Sequence, residues 1–331
     1  MKKFGKWFLG TILVLLIVYF AGPKPAKPDF TIHEISLPDS LSALEKKINR
    51  DEKLVKGIKH DNHARIVWAD SSKKEKTKIA FLYLHGFPAS QEEGSPVHTD
   101  LAKKYHANLY LARLAEHGIE KGDSTMINLT ADKWEASAEE ALAITRKLGD
   151  EVIIIGTSGG GALTLFLTSR HPEIKAIVLY SPCIKLYDKA AAILIKPWGL
   201  QLARKIRGGP VVKDVSTSEA HANYWDLHYR LEGVMALVNL YSNTMKPEVF
   251  MKIKCPVFMA YYYKNDEEQD KVVSVPAMLK MFDELGTPSG LKQKEAFPNV
   301  GAHVIASSIR SKDWQGVEKE TDKFLTDIVK L

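Results

Sequence analysis

The sequence predicts an α/β fold: a mostly parallel, twisted sheet with helices on both faces and a helical cap inserted late in the chain. Three observations carry that expectation. Strand-like and helical segments alternate from Arg65 onward, the pattern of βαβ units. Val152-Ile153-Ile154-Ile155 runs straight into Gly156-Thr157-Ser158-Gly159-Gly160, and an apolar, helix-compatible stretch follows. That order makes a strand-to-helix turn so tight that only glycine fits on either side of the serine. The alternation then breaks across residues 184–250, where helical patterns accumulate. A chain of 331 residues exceeds the usual single core, but large α/β domains reach this size.

The chain opens with Lys2, Lys3 and Lys6 ahead of an uncharged run from Trp7 to Gly22, and Pro23-Lys24-Pro25-Ala26-Lys27-Pro28 follows. As a helix the run reaches about 24 Å, short against a hydrocarbon core of about 30 Å. Cleavage after Ala21 or Gly22 would place Tyr19 or Phe20 where a small residue is wanted. Residues 1–22 are therefore expected to be a retained signal-anchor, with a cleaved signal peptide as the alternative and a secreted product in that case. Residues 23–30 read as a stiff, extended spacer, and the rest of the chain is expected outside the cytoplasm. Of the formal charge of +6, the lysines at 2, 3, 6, 24 and 27 supply +5. The remainder is nearly neutral and gives no case for nucleic acid.

Ile79-Ala80-Phe81-Leu82-Tyr83-Leu84 reads as a buried strand ending in His85-Gly86-Phe87. Ser158 would stand at the C-terminal end of the sheet, above a helix N-terminus. The Gly-x-Ser-x-Gly pattern alone recurs by chance in about one chain of this length in ten, so its partners decide. A serine hydroxyl needs a general base, oriented in turn by a carboxylate. In a sheet of this kind they follow in the order acid, then histidine. The strand-like segment 256–263 leads into Asp266, Glu267, Glu268 and Asp270, and Gly301-Ala302-His303 comes later, opening an apolar stretch that reads as helical. A tetrahedral intermediate also needs two N–H donors; Gly159 offers one and Phe87 the other.

With these residues the chain resembles the α/β-hydrolase superfamily, and within it the monoacylglycerol lipase, lysophospholipase and bacterial carboxylesterase group. The shared segments are His85-Gly86-Phe87 with its polar turn, Arg113-Leu114-Ala115-Glu116-His117-Gly118, the Trp134-led helix, Asp270-Lys271-Val272-Val273 and Gly301-Ala302-His303. The resemblance spans roughly residues 64–331, with little specificity across the cap. It implies a Ser158, His303, Asp270 triad, with Asp266 as the alternative acid. It also implies hydrolysis of a mono-acyl lipid or short-chain ester. Amide or thioester cleavage uses the same machinery, and a catalytically silent envelope protein keeping the fold for binding is the reading from another class. Two departures stand out. Thr157 replaces the group's usual histidine, and Gly159 stands where methionine is common, which predicts a smaller, less apolar pocket floor.

The core is assigned to residues 31–183 and 251–331, and the cap to 184–250. Leu186, Ile193, Leu194, Trp198, Leu200, Tyr224, Trp225 and Leu227 are candidates for an acyl tunnel, Trp198, Tyr224 and Trp225 foremost, although most are expected merely to hold the cap together. The cap's Lys185, Lys189, Lys196, Arg204, Lys205 and Arg207 suit either an anionic surface or plain solvation. His85 and His117 read as structural hydrogen-bonders, and His60 and His63 as parts of a surface turn. Cys183 and Cys255 fall at opposite edges of the sheet, farther apart than a disulfide's Cα separation of about 7 Å allows. No phosphate loop, dinucleotide fingerprint or zinc pattern occurs, so no cofactor and no metal are expected.

Overall fold

The computed structural model describes residues 2–331; Met1 of the expected anchor and the side chains of residues 2–5 and 8 lie outside that description. Among the described residues nine strands form: β1 (Arg65–Val67), β2 (Thr77–Leu84), β3 (Asn108–Leu111), β4 (Gly149–Thr157), β5 (Ala176–Tyr180), β6 (Val211–Lys213), β7 (His228–Arg230), β8 (Val257–Tyr261) and β9 (Lys292–Ala296). Seven of them make one sheet in the order β1-β3-β2-β4-β5-β8-β9. Every pairing is parallel except β1 with β3, as expected of crossover-connected strands edged by one antiparallel neighbour.

β4 lies in the middle because it can be buried on both faces. Val152 and Ile154 join one apolar cluster, Ile153 and Ile155 the other, the period-two alternation of a strand. The first cluster packs under the helices Ala131–Leu148 and Gly159–Arg170; the second lies under Val97–Lys104 and Trp314–Phe324. Thr130 starts the first of these helices by accepting the Lys133 N–H, a side-chain cap that satisfies an otherwise unpaired donor.

Between β5 and β8 the chain leaves the sheet. It builds a 3-10 turn (Lys189–Ile195), the helices Gly199–Arg207, Glu219–Tyr224 and Leu231–Thr244, and the antiparallel pair β6 and β7. This hairpin was not anticipated, because three-residue strands carry too little alternation to be read.

One expectation is corrected. Residues 301–311 form no helix; the chain after His303 is a run of turns and bridges, and helix resumes only at Trp314. The Pro/Lys segment takes neither helix nor strand and rests on the rest of the fold. Pro23 O accepts the Trp198 N–H at 2.9 Å, Ala26 O accepts from Asn239 Nδ2 at 3.1 Å, and Phe30 meets Phe166 edge-on at 5.0 Å. Beyond that clasp the helix Lys2–Phe20 leaves Trp7, Leu9 and the apolar side chains from Ile12 to Phe20 exposed. Among the described residues no helix is long and apolar enough to cross a membrane. Cys183 and Cys255 are both free.

Candidate functional site

Ser158 caps β4 and begins the next helix with φ 53° and ψ −115°. A side chain seldom adopts such a backbone, and holding it there costs about 1–3 kcal/mol. The surroundings enforce it. Ser158 N donates to Tyr180 O at 2.9 Å, and Ser158 O accepts from Cys183 N at 2.8 Å. The helix also comes so close to β2 that a methyl on Gly160 would lie 2.0 Å from Leu84 O. The turn therefore requires glycine there, and the serine is thrust up beside the loop after β2.

Asp270 sits in the loop after β8, buried, with both carboxylate oxygens engaged. Oδ1 accepts from Val272 N at 2.8 Å and Val273 N at 3.0 Å; Oδ2 meets His303 Nδ1 at 2.6 Å. Burial pushes the His303 imidazole down, but the Asp270 carboxylate, by charge and by hydrogen bond, and the charge of Glu93 outweigh it. The net effect holds His303 above its ordinary value. His303 Nε2 is buried and has no hydrogen-bond partner among the described residues. The alternative acid, Asp266, lies out in solvent and accepts from Tyr263 Oη at 3.0 Å; the loop turns it away from the histidine.

The loop after β2 closes over the serine. A methyl on Gly86 would come within 2.7 Å of Ser158 Cβ, and one on Gly159 within 3.5 Å of Phe87 N. The Phe87 and Gly159 peptides thus adjoin beside the nucleophile position. The same hypothetical methyl on Gly159 would lie 2.6 Å from the Trp134 ring. Trp134 occupies the space a larger residue at 159 would fill.

Ser158, His303 and Phe87 line one cavity of about 640 Å³. Leu186, Tyr229, Val234, Leu237 and Val272 give it an apolar wall; Asp214, His221, Asp226 and Arg310 bring charge from the cap and from the segment beyond His303. Of the aromatic residues expected to meet substrate, Trp225 lines the cavity, joined by Tyr229, which was not among them. Trp198 and Tyr224 do not. Trp198 clasps the N-terminal segment, its Nε1 donating to Val18 O at 2.9 Å, and Tyr224 Oη donates to Asp61 at 3.0 Å. Their polar tips found partners outside the pocket, which no spacing in the sequence could reveal. His85 accepts the Leu114 N–H at 3.1 Å and His117 Nδ1 lies 2.8 Å from Ala115 O. Burial holds His85 at about 4 and pushes His117 well below the ordinary histidine range, so both act as neutral braces. No group of residues suited to a metal ion occurs among the described residues.

Glu93 was missed altogether. It sits in the 3-10 turn Gln91–Gly94, 1% exposed, lines the cavity and accepts the Gly86 N–H. Burial pushes its carboxyl up to about 7, against the pull of that N–H and of the His303 charge. In the sequence it was one polar residue in a polar turn.

No family model matches the chain. A thermostable monoacylglycerol lipase from Bacillus sp. (strain H-257) is 30% identical over 119 residues, which is 36% of this chain and 46% of that protein. The chain thus matches about half the length of this curated relative. Among solved structures, a metagenome-derived lipolytic enzyme aligns over 82% of this chain and 98% of its own, at TM-score 0.64 and 17% identity. The monoglyceride lipase of Saccharomyces cerevisiae aligns over 92% and 98%, at TM-score 0.58 and 15% identity. The monoacylglycerol lipase of Paleococcus ferrophilus covers 80% and 97%, at TM-score 0.56 and 12% identity. The fold is that of the α/β-hydrolases.

Proposed function

We propose that the chain is a serine hydrolase of carboxylic esters acting through an acyl-enzyme. The observation that carries this reading is the 2.6 Å contact of Asp270 with His303 Nδ1, in a cavity that His303 shares with a strained Ser158. Ser158 Oγ attacks the acyl carbonyl while His303 Nε2 takes its proton. Asp270 holds the imidazole in that tautomer and stabilises its charged form. The Phe87 and Gly159 N–H groups bind the oxyanion. His303 then protonates the departing alkoxide, and water, deprotonated by the same nitrogen, releases the acid.

The substrate class is a mono-acyl lipid or short-chain ester. The apolar wall of Leu186, Val234, Leu237 and Val272 suits an acyl chain, and the lipases among the similar proteins favour the same class. Labelling the purified chain with a fluorophosphonate, followed by peptide mass spectrometry, tests the reading. A stoichiometric adduct on Ser158, absent from Ser158→Ala together with all ester turnover, is the expected result; folded protein without an adduct overturns it.

Localisation forms a separate part of the proposal: the N-terminal helix tethers the enzyme to a membrane, with the catalytic domain extracytoplasmic. Its support is the exposed apolar run from Leu13 to Phe20 following Lys2, Lys3 and Lys6. Retention of the chain in membranes washed with alkaline carbonate is expected, and release into the supernatant sinks the tether.

A further inference from the structure

Glu93 lines the Ser158 cavity with Asp214 and Asp226, all three idle in the ester mechanism above, and its own surroundings, against the loop after β2, are unusual for an acid. It is almost wholly withdrawn from solvent, and burying an ionisable group without compensation is strongly unfavourable. Its partners are two. One is the Gly86 N–H, in the peptide immediately before Phe87. The other is the positive charge that His303 acquires. We propose that Glu93 is a positioning residue of this site: it fastens the oxyanion loop through Gly86 and, together with Asp270, stabilises the imidazolium of His303.

The argument rests on the esterase reading and adds to it. Gly86 has no side chain of its own to fix its peptide, and the space beside it is shared by Ser158 and the Glu93 carboxylate. A methyl on Gly86 would lie 2.7 Å from Ser158 Cβ and 3.1 Å from Glu93 Oε1. The acid, the loop and the nucleophile are therefore one packed unit. A carboxylate here accepts the Gly86 N–H and holds the next peptide, Phe87, toward Gly159. The same charge favours the protonated form of His303, the form generated when Ser158 attacks.

Other charges surround the pair. Asp270 meets His303 from the β8 loop, and Asp214, His221, Asp226 and Arg310 face the cavity from the cap and the C-terminal segment. Glu92 shares Glu93's own turn, and burial, with the charges of both acids added, raises the Tyr83 phenol. Among all of these, Glu93 and Asp270 are the acids whose charge acts on His303. Because each charge favours the other, Glu93 and His303 take up protons as a coupled pair. The working form, with ionised Glu93 and neutral His303, is lost when either takes a proton.

The test is the pH dependence of fluorophosphonate inactivation, and of kcat/KM for a soluble ester, in the full chain and in Glu93→Gln. Glutamine keeps an acceptor for Gly86 and removes the charge. The acid limb of the variant is expected to move down by on the order of one pH unit. Glu93→Ala, which also strips the acceptor, is expected to lose more of the alkaline plateau than Glu93→Gln. That loss should be part of the roughly 10²–10³-fold an oxyanion donor is worth, with glutamine restoring it. A merely structural role would lower the plateau without moving the limb, and an unmoved limb overturns the proposal. Should the variants fail to fold, the unmodified chain decides. Because the two opposite charges stabilise one another, the protons go on in separate steps: its acid limb falls with slope one and turns toward slope two at lower pH, and a slope of one down to the pH at which the chain unfolds overturns the proposal. An unmodified chain that gives no Ser158 adduct removes the esterase reading itself; a Ser158 adduct with an unmoved limb removes Glu93 alone.

Discussion

Replacing Asp270 by asparagine tests the site at the point where its geometry is most constrained. Both oxygens of the carboxylate are committed, Oδ1 to two backbone donors and Oδ2 to His303 Nδ1. An amide has one oxygen. If that oxygen stays with Val272 N and Val273 N, the Nδ2 hydrogens point at His303 Nδ1 and force the imidazole proton onto Nε2, where it cannot accept from Ser158. If the amide turns over, its hydrogens confront two N–H donors in a site from which water is excluded. Either arrangement also removes the buried charge that stabilises the imidazolium. A wrong tautomer in this arrangement lowers kcat by about 10⁴, close to 5 kcal/mol of transition-state stabilisation. Asp266→Asn is the control. Asp266 is exposed and its partner is a tyrosine hydroxyl, so the change should stay within about 0.5 kcal/mol. Steady-state kinetics on a soluble chromogenic ester, with circular dichroism to establish folding, would measure both. A folded Asp270→Asn enzyme within tenfold of the parent would refute the reasoning, and comparable losses in the two variants would sink both assignments.

Three further outcomes follow from the same packing. Ser158→Gly should abolish ester turnover yet raise the midpoint of thermal unfolding, because glycine relieves a backbone at φ 53° that costs a side-chain residue about 1–3 kcal/mol; a lowered midpoint would show that the turn is not strained. Gly160→Ala should destabilise by about 3 kcal/mol, since its methyl would meet the Leu84 carbonyl at 2.0 Å, and a urea midpoint equal to the parent's would contradict that contact. Lys59→Met strands Asp226, paired to Lys59 at 3.0 Å beneath the cap; removing one partner of a buried pair costs about 3–5 kcal/mol. Burial, opposed by Lys59, already pushes the Asp226 carboxyl up to about 6. Without the lysine it rises further, so the loss should be full near pH 8 and shrink as pH falls and the acid is neutralised. A loss independent of pH would mean that the pair is not what the variant disturbs.

The strands and the turn at Ser158 were legible because each depends on local signals: β-branched runs on both faces of a buried strand, and glycines where nothing larger fits. The loops carrying His303 and an acid could be placed by their order along the chain, since a parallel sheet delivers successive loops to one edge; the choice of Asp270 over Asp266 came from the resemblance. What surrounds them could not. Trp198, Tyr224 and Trp225 are alike in sequence as large cap aromatics, and only the path of the chain sends Trp225 into the cavity while Trp198 closes on Val18 and Pro23. Glu93 shows the same limit from the polar side. An acid in a turn reads as solvated until the fold buries it against the Gly86 peptide.

The division between a catalytic core and a substrate-selecting cap is less sharp than their separate positions in sequence imply. The cap segment carrying Trp225 is hydrogen-bonded to the very loop that offers the Phe87 N–H. Asp226 N donates to Pro88 O at 2.9 Å, Ser90 Oγ donates to Tyr224 O at 3.2 Å, and Ala89 bridges Trp225. On its far side that segment is held by Lys59, whose Nζ donates to Trp225 O at 2.8 Å and pairs with Asp226. Any displacement of this part of the cap by a ligand would therefore act on residues 88–90, next to the proposed oxyanion donor, and not on a free flap. Gly86 at the start of the loop is fixed from the other direction by Glu93, so the Phe87 peptide lies between an anchor in the core and an anchor in the cap. On the proposed mechanism, substrate contacts with Trp225 would bear on kcat as well as KM, because binding energy gained in the cap would reach the peptide proposed to stabilise the transition state.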